Sequence, residues 1–169
     1  MKWPKVVRSG ESQPTRHPPD RRRGRPRVFT GEYRHTVDDK GRIAVPVKFR
    51  TRLDPGSMVS AWLDNCLAIH TKASWDGLSA KIAALPITDT TARLFQRLIF
   101  SRAVEAEMDR QGRILLPAYL RELIGLGGDA VIVGSRDHAE IWAPERWDDY
   151  RRALDDPQEL ARAFEGLGI

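Results

Sequence analysis

Four side chains in this sequence have types and spacings that could do chemistry: Asp38 with Arg42, and Asp109 with Arg113. Each carboxylate precedes its guanidinium by four residues, with Gly41 or Gly112 between them. Arginine presents a planar fork of N–H donors suited to bidentate contact with phosphate, or with guanine in the major groove of DNA. A carboxylate beside it can orient that fork before a ligand arrives. A purely structural reading also exists, in which Asp orders a turn and Arg closes an exposed ion pair that adds little stability. Two observations favour the ligand-binding reading. The pair occurs twice, and basic residues gather around both copies: Arg34, Lys40, Lys48, Arg50 and Arg52 near the first, Arg110 and Arg121 near the second.

The recurrence extends well beyond the pairs. Val37-Asp38-Asp39-Lys40-Gly41-Arg42-Ile43-Ala44-Val45-Pro46 returns 71 residues later as Met108-Asp109-Arg110-Gln111-Gly112-Arg113-Ile114-Leu115-Leu116-Pro117. At an offset of 72, Gly56, Val59, Ala61, Ile69 and Trp75 fall on Gly128, Val131, Val133, Ile141 and Trp147. A fixed period of this size marks a duplicated structural unit.

The elements that must position the pairs follow from periodicity. Tyr33, His35 and Val37 alternate with polar residues, as in a half-exposed strand. Asp38 to Gly41 forms a turn, in which Asp bonds its own following backbone and Gly supplies positive φ. Ile43 and Val45 alternate again as the returning strand. Pro46 lacks an N–H for a mid-strand ladder but suits a helix start, here to about Leu53. A second hairpin follows over Met58–Leu63 and Leu67–Thr71, around Asp64-Asn65. The second copy predicts strands at about Ala103–Met108 and Arg113–Leu116 and a helix from Pro117 to about Ile124. Strands at Ala130–Gly134 and Glu140–Ala143 complete it, about Arg136-Asp137. Trp75, Leu78, Ile82 and Leu85 line one face of a helix. Asp89 is a suitable N-cap for another, with Leu94, Phe95, Leu98 and Ile99 on its apolar side. Trp147, Tyr150 and Leu154 repeat the Trp75 spacing, and Leu160 with Phe164 suggest a last short helix.

The chain has 169 residues and a formal net charge of +5. That charge is unevenly placed. Residues 1–30 hold nine Lys/Arg and two Asp/Glu, whereas residues 31–169 hold nineteen and twenty-one. Any nucleic-acid surface on the body must therefore be a local patch. The leader, rich in Pro and Arg, reads as disordered. It is either a phosphate-binding arm or, as we favour, a dispensable extension, with Val28 a plausible first residue. No apolar run approaches the roughly 20 residues needed to span a bilayer, and the basic N-terminus lacks the apolar stretch of a signal peptide. The single cysteine, Cys66, excludes an internal disulfide and a cysteine-cluster metal site. A cytosolic protein is expected.

With Phe29-x-Gly31-Glu32-Tyr33 before the first motif, the doubled Asp-x-x-x-Arg resembles the MraZ family, built from two AbrB-type swapped-hairpin domains. Leu85-Pro86-Ile87-Thr88-Asp89, Phe100-Ser101 with Ala103-Val104-Glu105, and Glu140-Ile141-Trp142 with Arg146-Trp147 extend the resemblance over about residues 28–152. It implies an α+β fold in which the duplicated units pack as a pseudo-twofold β-barrel with connecting and C-terminal helices. The expected divisions are a basic leader over 1–28, a first domain over 32–74 and a helical connector over 75–102. A second domain over 103–146 and a C-terminal helical segment over 147–169 follow. The resemblance also implies a nucleoid-associated transcriptional regulator of the division and cell-wall gene cluster. It would bind repeated double-stranded promoter sites as a ring-like homo-oligomer, with Asp38, Arg42, Asp109 and Arg113 as the DNA-contacting signature. Lys40, Arg110, Arg34 and Lys48 are the basic neighbours expected to join them at the DNA.

Other classes fit less well. AbrB-type antitoxins, which bind DNA and a toxin, usually carry one such domain and a disordered C-terminal segment, whereas this chain has two and a helical C-terminus. Catalytic double-psi barrels would need Asp-Thr-Gly or Asp-Ser-Gly, both absent, or self-cleavage at Gly-Ser; Gly56-Ser57 and Gly134-Ser135 fall at expected turns or strand edges. His35, His70 and His138 read as surface or packing residues, and Trp62, Trp75, Trp142 and Trp147 as packing anchors. No active site, cofactor, metal or small-molecule substrate is expected.

Overall fold

The computed structural model describes residues 28–165 and Leu167. The expectations for the leader lie outside the described residues. The first copy folds as β1 (Glu32–Thr36), β2 (Arg42–Ala44), α1 (Val47–Arg50), β3 (Met58–Ala61), β4 (Leu67–His70) and α2 (Lys72–Ala83). α3 (Thr90–Phe100) leads to β5 (Ala103–Glu105), β6 (Arg113–Leu115), α4 (Ala118–Leu123), β7 (Asp129–Ser135), β8 (His138–Trp142) and α5 (Pro144–Asp155). α6 (Pro157–Phe164) follows.

Local chemistry sets the element ends. Pro46 and Pro117 stand immediately before α1 and α4, in extended conformation. The side chain of Thr71 accepts from the backbone N–H of Ser74, so α2 starts three residues earlier than Trp75. Asp89 caps α3 by accepting from Thr91 and Ala92. Asp64, Asn65 and Arg136 take positive φ at the tips of the later turns, a conformation that Asp and Asn tolerate well.

The strands pair across the duplication. A six-stranded sheet runs β1-β7-β8-β4-β3-β5, and β2 pairs with β6 in a separate ladder. Exchanging the two copies maps this order onto itself. Six-stranded and two-stranded sheets stand where a closed barrel was expected; β1 and β5 remain the edges of the larger one. The expected first hairpin is also altered. Its turn forms, but between the two flanking strands only Val37 and Ile43 make a bridge; β1 pairs with β7 along its whole length. The same holds for Met108 and Ile114 in the second copy, where β5 pairs with β3.

The reason is the core. Ile43, Phe49, Ile69, Ile114, Leu116, Leu120, Ile124, Ile132 and Ile141 are all fully buried in one cluster drawn from both copies. Phe29 joins it, edge-to-face on Phe49 with ring centroids 4.9 Å apart. Each such side chain contributes roughly 1.5–3 kcal/mol on burial, more than a lone hairpin could gain. The connector deviates from its expected pattern: in α3, Ile99 is buried but Leu94 is two-thirds exposed.

Candidate nucleic-acid interface

The β2–β6 ladder brings the two charged pairs together. Its register pairs Ile43 with Ile114, which are equivalent positions of the two copies, and Arg42 with Leu115, and Ala44 with Arg113. Side chains alternate faces along a strand. With both isoleucines in the core, Arg42 and Arg113 therefore lie on the opposite face of the ladder, diagonal to one another.

Each turn is tied by its aspartate. Asp38 Oδ1 accepts from the backbone N–H of Lys40 at 3.0 Å and of Arg42 at 2.9 Å. Its Oδ2 accepts from Arg42 Nε at 2.8 Å and forms an ion pair with Arg42 Nη2, also at 2.8 Å. Asp109 repeats this with Gln111, Arg113 N, Arg113 Nε and Arg113 Nη2 at 2.8–3.0 Å. The network crosses between copies: Arg113 Nη1 lies 3.4 Å from Asp38 Oδ2, and Arg42 Nη1 lies 4.0 Å from Asp109 Oδ2. The Arg42 side chain, followed by the backbone N–H of Arg42, holds the Asp38 carboxyl down to about 2. The Asp109 carboxyl is lowered too, first by the backbone N–H of Arg113 and then by its side chain. Both carboxylates are thus charged acceptors at neutral pH. A guanidinium carries five N–H donors; these bonds leave some on each arginine, whose side chains are 30% and 25% exposed.

A second crossed pair of arginines supports the turns. Arg50 Nε donates to the carbonyl of Val45 at 2.8 Å, and Arg121 Nε to that of Leu116 at 3.0 Å. The guanidinium of Arg50 lies against Gly112 of the other copy, where a Cβ would collide with it, and that of Arg121 lies close to Gly41. Both glycines have φ of +78°. Backbone conformation favours glycine at both positions, and at Gly112 the guanidinium of Arg50 also occupies the place of a Cβ. Cross-copy backbone bonds, Val45 N to Gly112 O at 2.9 Å and Leu116 N to Gly41 O at 2.8 Å, complete the unit. Sequence reasoning grouped Arg50 and Arg121 each with the turn of its own copy; their identical offset from the motif was the available signal.

The other expected residues are placed unevenly. Lys40 and Arg110 are exposed at the turn tips, and Lys48 is exposed on α1 beside Val47, which is 72% exposed. Arg34 is engaged elsewhere: it donates to Asp148 of α5 at 2.5 Å and lies 3.9 Å from Glu32. Trp142 and Trp147 are buried and pack with Tyr150, whereas Trp62 and Trp75 are half-buried around His70. Cys66 is buried and unpaired. Among the described residues no group of three or more His, Cys, Asp or Glu could hold a metal ion, and no helix is long and apolar enough to cross a membrane.

Comparison with known proteins places the chain in a family. The family described as "MraZ protein, putative antitoxin-like" matches residues 28–98 and again 99–165. "Transcriptional regulator MraZ" of Desulfitobacterium hafniense (strain Y51) is 46% identical over 143 residues, covering 84% of this chain and 100% of the relative. The protein of the same name from Halothermothrix orenii is 42% identical over the same coverage. That of Roseiflexus sp. (strain RS-1) is 44% identical over 128 residues, 76% of this chain and 90% of the relative. Two family matches in tandem, and relatives of this identity over most of their length, show that the chain belongs to the MraZ family.

Proposed function

We propose that this chain is a sequence-specific DNA-binding transcriptional regulator of the division and cell-wall gene cluster, working in the cytoplasm at the nucleoid. One observation carries the reading: two copies of an arginine held by its own carboxylate are delivered to one face of a single ladder, with donors to spare. Arg42 and Arg113 read base edges or phosphate, while Asp38 and Asp109 fix their orientation. Lys40, Arg110 and Lys48 contact the backbone, where each neutralised phosphate adds a salt-dependent increment. Arg34, tied to α5, assists only if DNA displaces Asp148.

Because two turns reach few base pairs, several chains act together. The halves differ in sequence, so a contact between subunits can be head-to-tail and close into a ring. Linking the turns raises the effective concentration of each, strengthening binding by about 10²–10⁴-fold on repeated promoter sites. The AbrB-type antitoxin reading draws on the shared domain type, but the buried Trp147 anchors α5 to the fold, leaving that helix committed.

Footprinting of the purified protein on DNA upstream of its own gene tests the reading. Spaced, repeated protection is expected, and it should vanish in a folded Arg42→Ala/Arg113→Ala variant. Light scattering should give a mass several times 19.2 kDa. An unchanged footprint in the double variant would refute the assignment of the arginines.

A further inference from the structure

A half-open cavity of about 310 Å³ lies between α2 and the seam where β4 meets β8, lined by residues including Trp62, His70, Gly77, Lys81 and His138. That volume is at the lower end of the range for small-molecule sites. The room comes from α2, which presents Ala73 and Gly77 one turn apart. Mid-helix glycine weakens a helix, and a Cβ at Gly77 would meet nothing within 4 Å. No turn and no close packing calls for glycine there.

The polar groups facing this space are unequally satisfied. His138 is held on both nitrogens, Nδ1 by Asp137 at 2.8 Å and Nε2 by Glu140 at 3.2 Å. Glu140 also accepts from Trp142 Nε1 at 2.9 Å. His70 is 2% exposed, and its Nε2 lies 3.4 Å from Ser60 Oγ. Its Nδ1 has no partner among the described residues, a costly state for a buried polar atom. Lys81 is exposed and makes no ion pair among the described residues.

The duplication provides an internal control. At the offset of 72, His70 and Leu78 correspond to Trp142 and Tyr150. Beneath α5 those side chains and Trp147 form an aromatic cluster, with ring centroids 5.3–6.0 Å apart. Beneath α2 the smaller His70 and Leu78 leave the volume open. In the first copy Trp62, Trp75 and His138 surround His70 with ring centroids 5.0–5.6 Å apart, and Trp62, His70 and His138 form an aromatic wall of the open volume instead of filling it.

We propose that this cavity binds a small planar aromatic anion, whose ring packs on the aromatic wall formed by Trp62, His70 and His138. Its carboxylate pairs with Lys81, and as the ring enters, a hydroxyl reaches His70 Nδ1, which is covered in the free protein. Burial, assisted by the neighbouring His138, pushes His70 down to about 4 against the pull of Asp137. The imidazole is therefore neutral at neutral pH, and a hydroxyl can satisfy either tautomer, as donor or acceptor.

Calorimetric titration of the full chain with 4-hydroxybenzoate tests this, with 4-hydroxybenzamide as the uncharged comparison. Saturable binding with Kd on the order of 1 mM or tighter is expected for a ligand of this size. The amide, and the Lys81→Met variant with the acid, should each bind about tenfold more weakly, the loss of a single charged contact. Gly77→Leu should abolish binding by filling the space, while its melting temperature stays at or above that of the unsubstituted protein, since leucine favours helix. Absence of saturable binding to the unsubstituted chain, or undiminished binding to a folded Gly77→Leu variant, would overturn the proposal. Neither readout involves DNA, so the outcome is independent of the regulatory reading.

Discussion

Gly112→Ala tests whether the arginine of one copy braces the turn of the other. Gly112 has φ of +78°, so alanine there costs about 1–2 kcal/mol in left-handed strain. Its Cβ would collide with the guanidinium of Arg50. Arg50 must withdraw, giving up the 2.8 Å bond from Nε to the carbonyl of Val45. Val45 is fully buried, and a hydrogen bond from a charged donor contributes about 1.5–3 kcal/mol. Together these give about 2.5–5 kcal/mol for Gly112→Ala, against about 1.5–3 kcal/mol for Arg50→Ala alone. Once Arg50 has withdrawn, that bond is already lost. The double variant should therefore cost no more than Gly112→Ala, a shortfall from additivity of about 1.5–3 kcal/mol. Urea unfolding of all four proteins, followed by tryptophan fluorescence, measures it. Gly41→Ala is the comparison: a Cβ there would meet Leu116 O at 3.0 Å and Arg121 Nε at 3.1 Å, so its cost should lie nearer the strain alone. Simple additivity of Arg50→Ala and Gly112→Ala would refute the cross-brace.

Arg42→Ala and Arg113→Ala should each weaken operator binding by about 1–3 kcal/mol with the fold intact, as read by electrophoretic mobility shift and melting temperature. Lys40→Ala should instead weaken binding evenly across sequences and reduce the salt slope by about 1. The Asp38 carboxyl is held down to about 2 in the folded protein, below its ordinary range. Its stabilisation is therefore fully present above about pH 4 and is lost as pH falls through about 2. The stability gap between the unsubstituted protein and Asp38→Asn should accordingly be constant above pH 5 and narrow on acidification, measured by denaturant unfolding at each pH. Burial pushes the Cys66 thiol up, so the native protein should react with thiol reagents only as fast as it opens, and at the ordinary cysteine rate in denaturant.

Much of the local structure is legible in the sequence because its causes are local. Asp and Gly at fixed spacing specify the two turns, proline marks the starts of α1 and α4, and Asp89 caps α3. The duplication, read from the repeated Asp-x-x-x-Arg, already places two equivalent charged pairs in the chain. Alternation identifies Ile43 and Ile114 as inward and Arg42 and Arg113 as outward.

Alternation states which face a residue takes, not which strand lies beside it. Pairing partners were settled only by the shared core, where burial of apolar residues from both copies outweighs closure of either hairpin on itself. That choice sends β1 to β7 and β5 to β3, and it leaves β2 and β6 to pair around Ile43 and Ile114. The cross-copy contacts of Arg113 with Asp38, of Arg50 with Gly112 and of Arg121 with Gly41 follow from it. So does the adjacency of His70 and His138, paired in register on β4 and β8. These contacts join residues about 60–80 positions apart in a chain whose period-2 signal carries no information about partner, so only the packed tertiary structure could decide them.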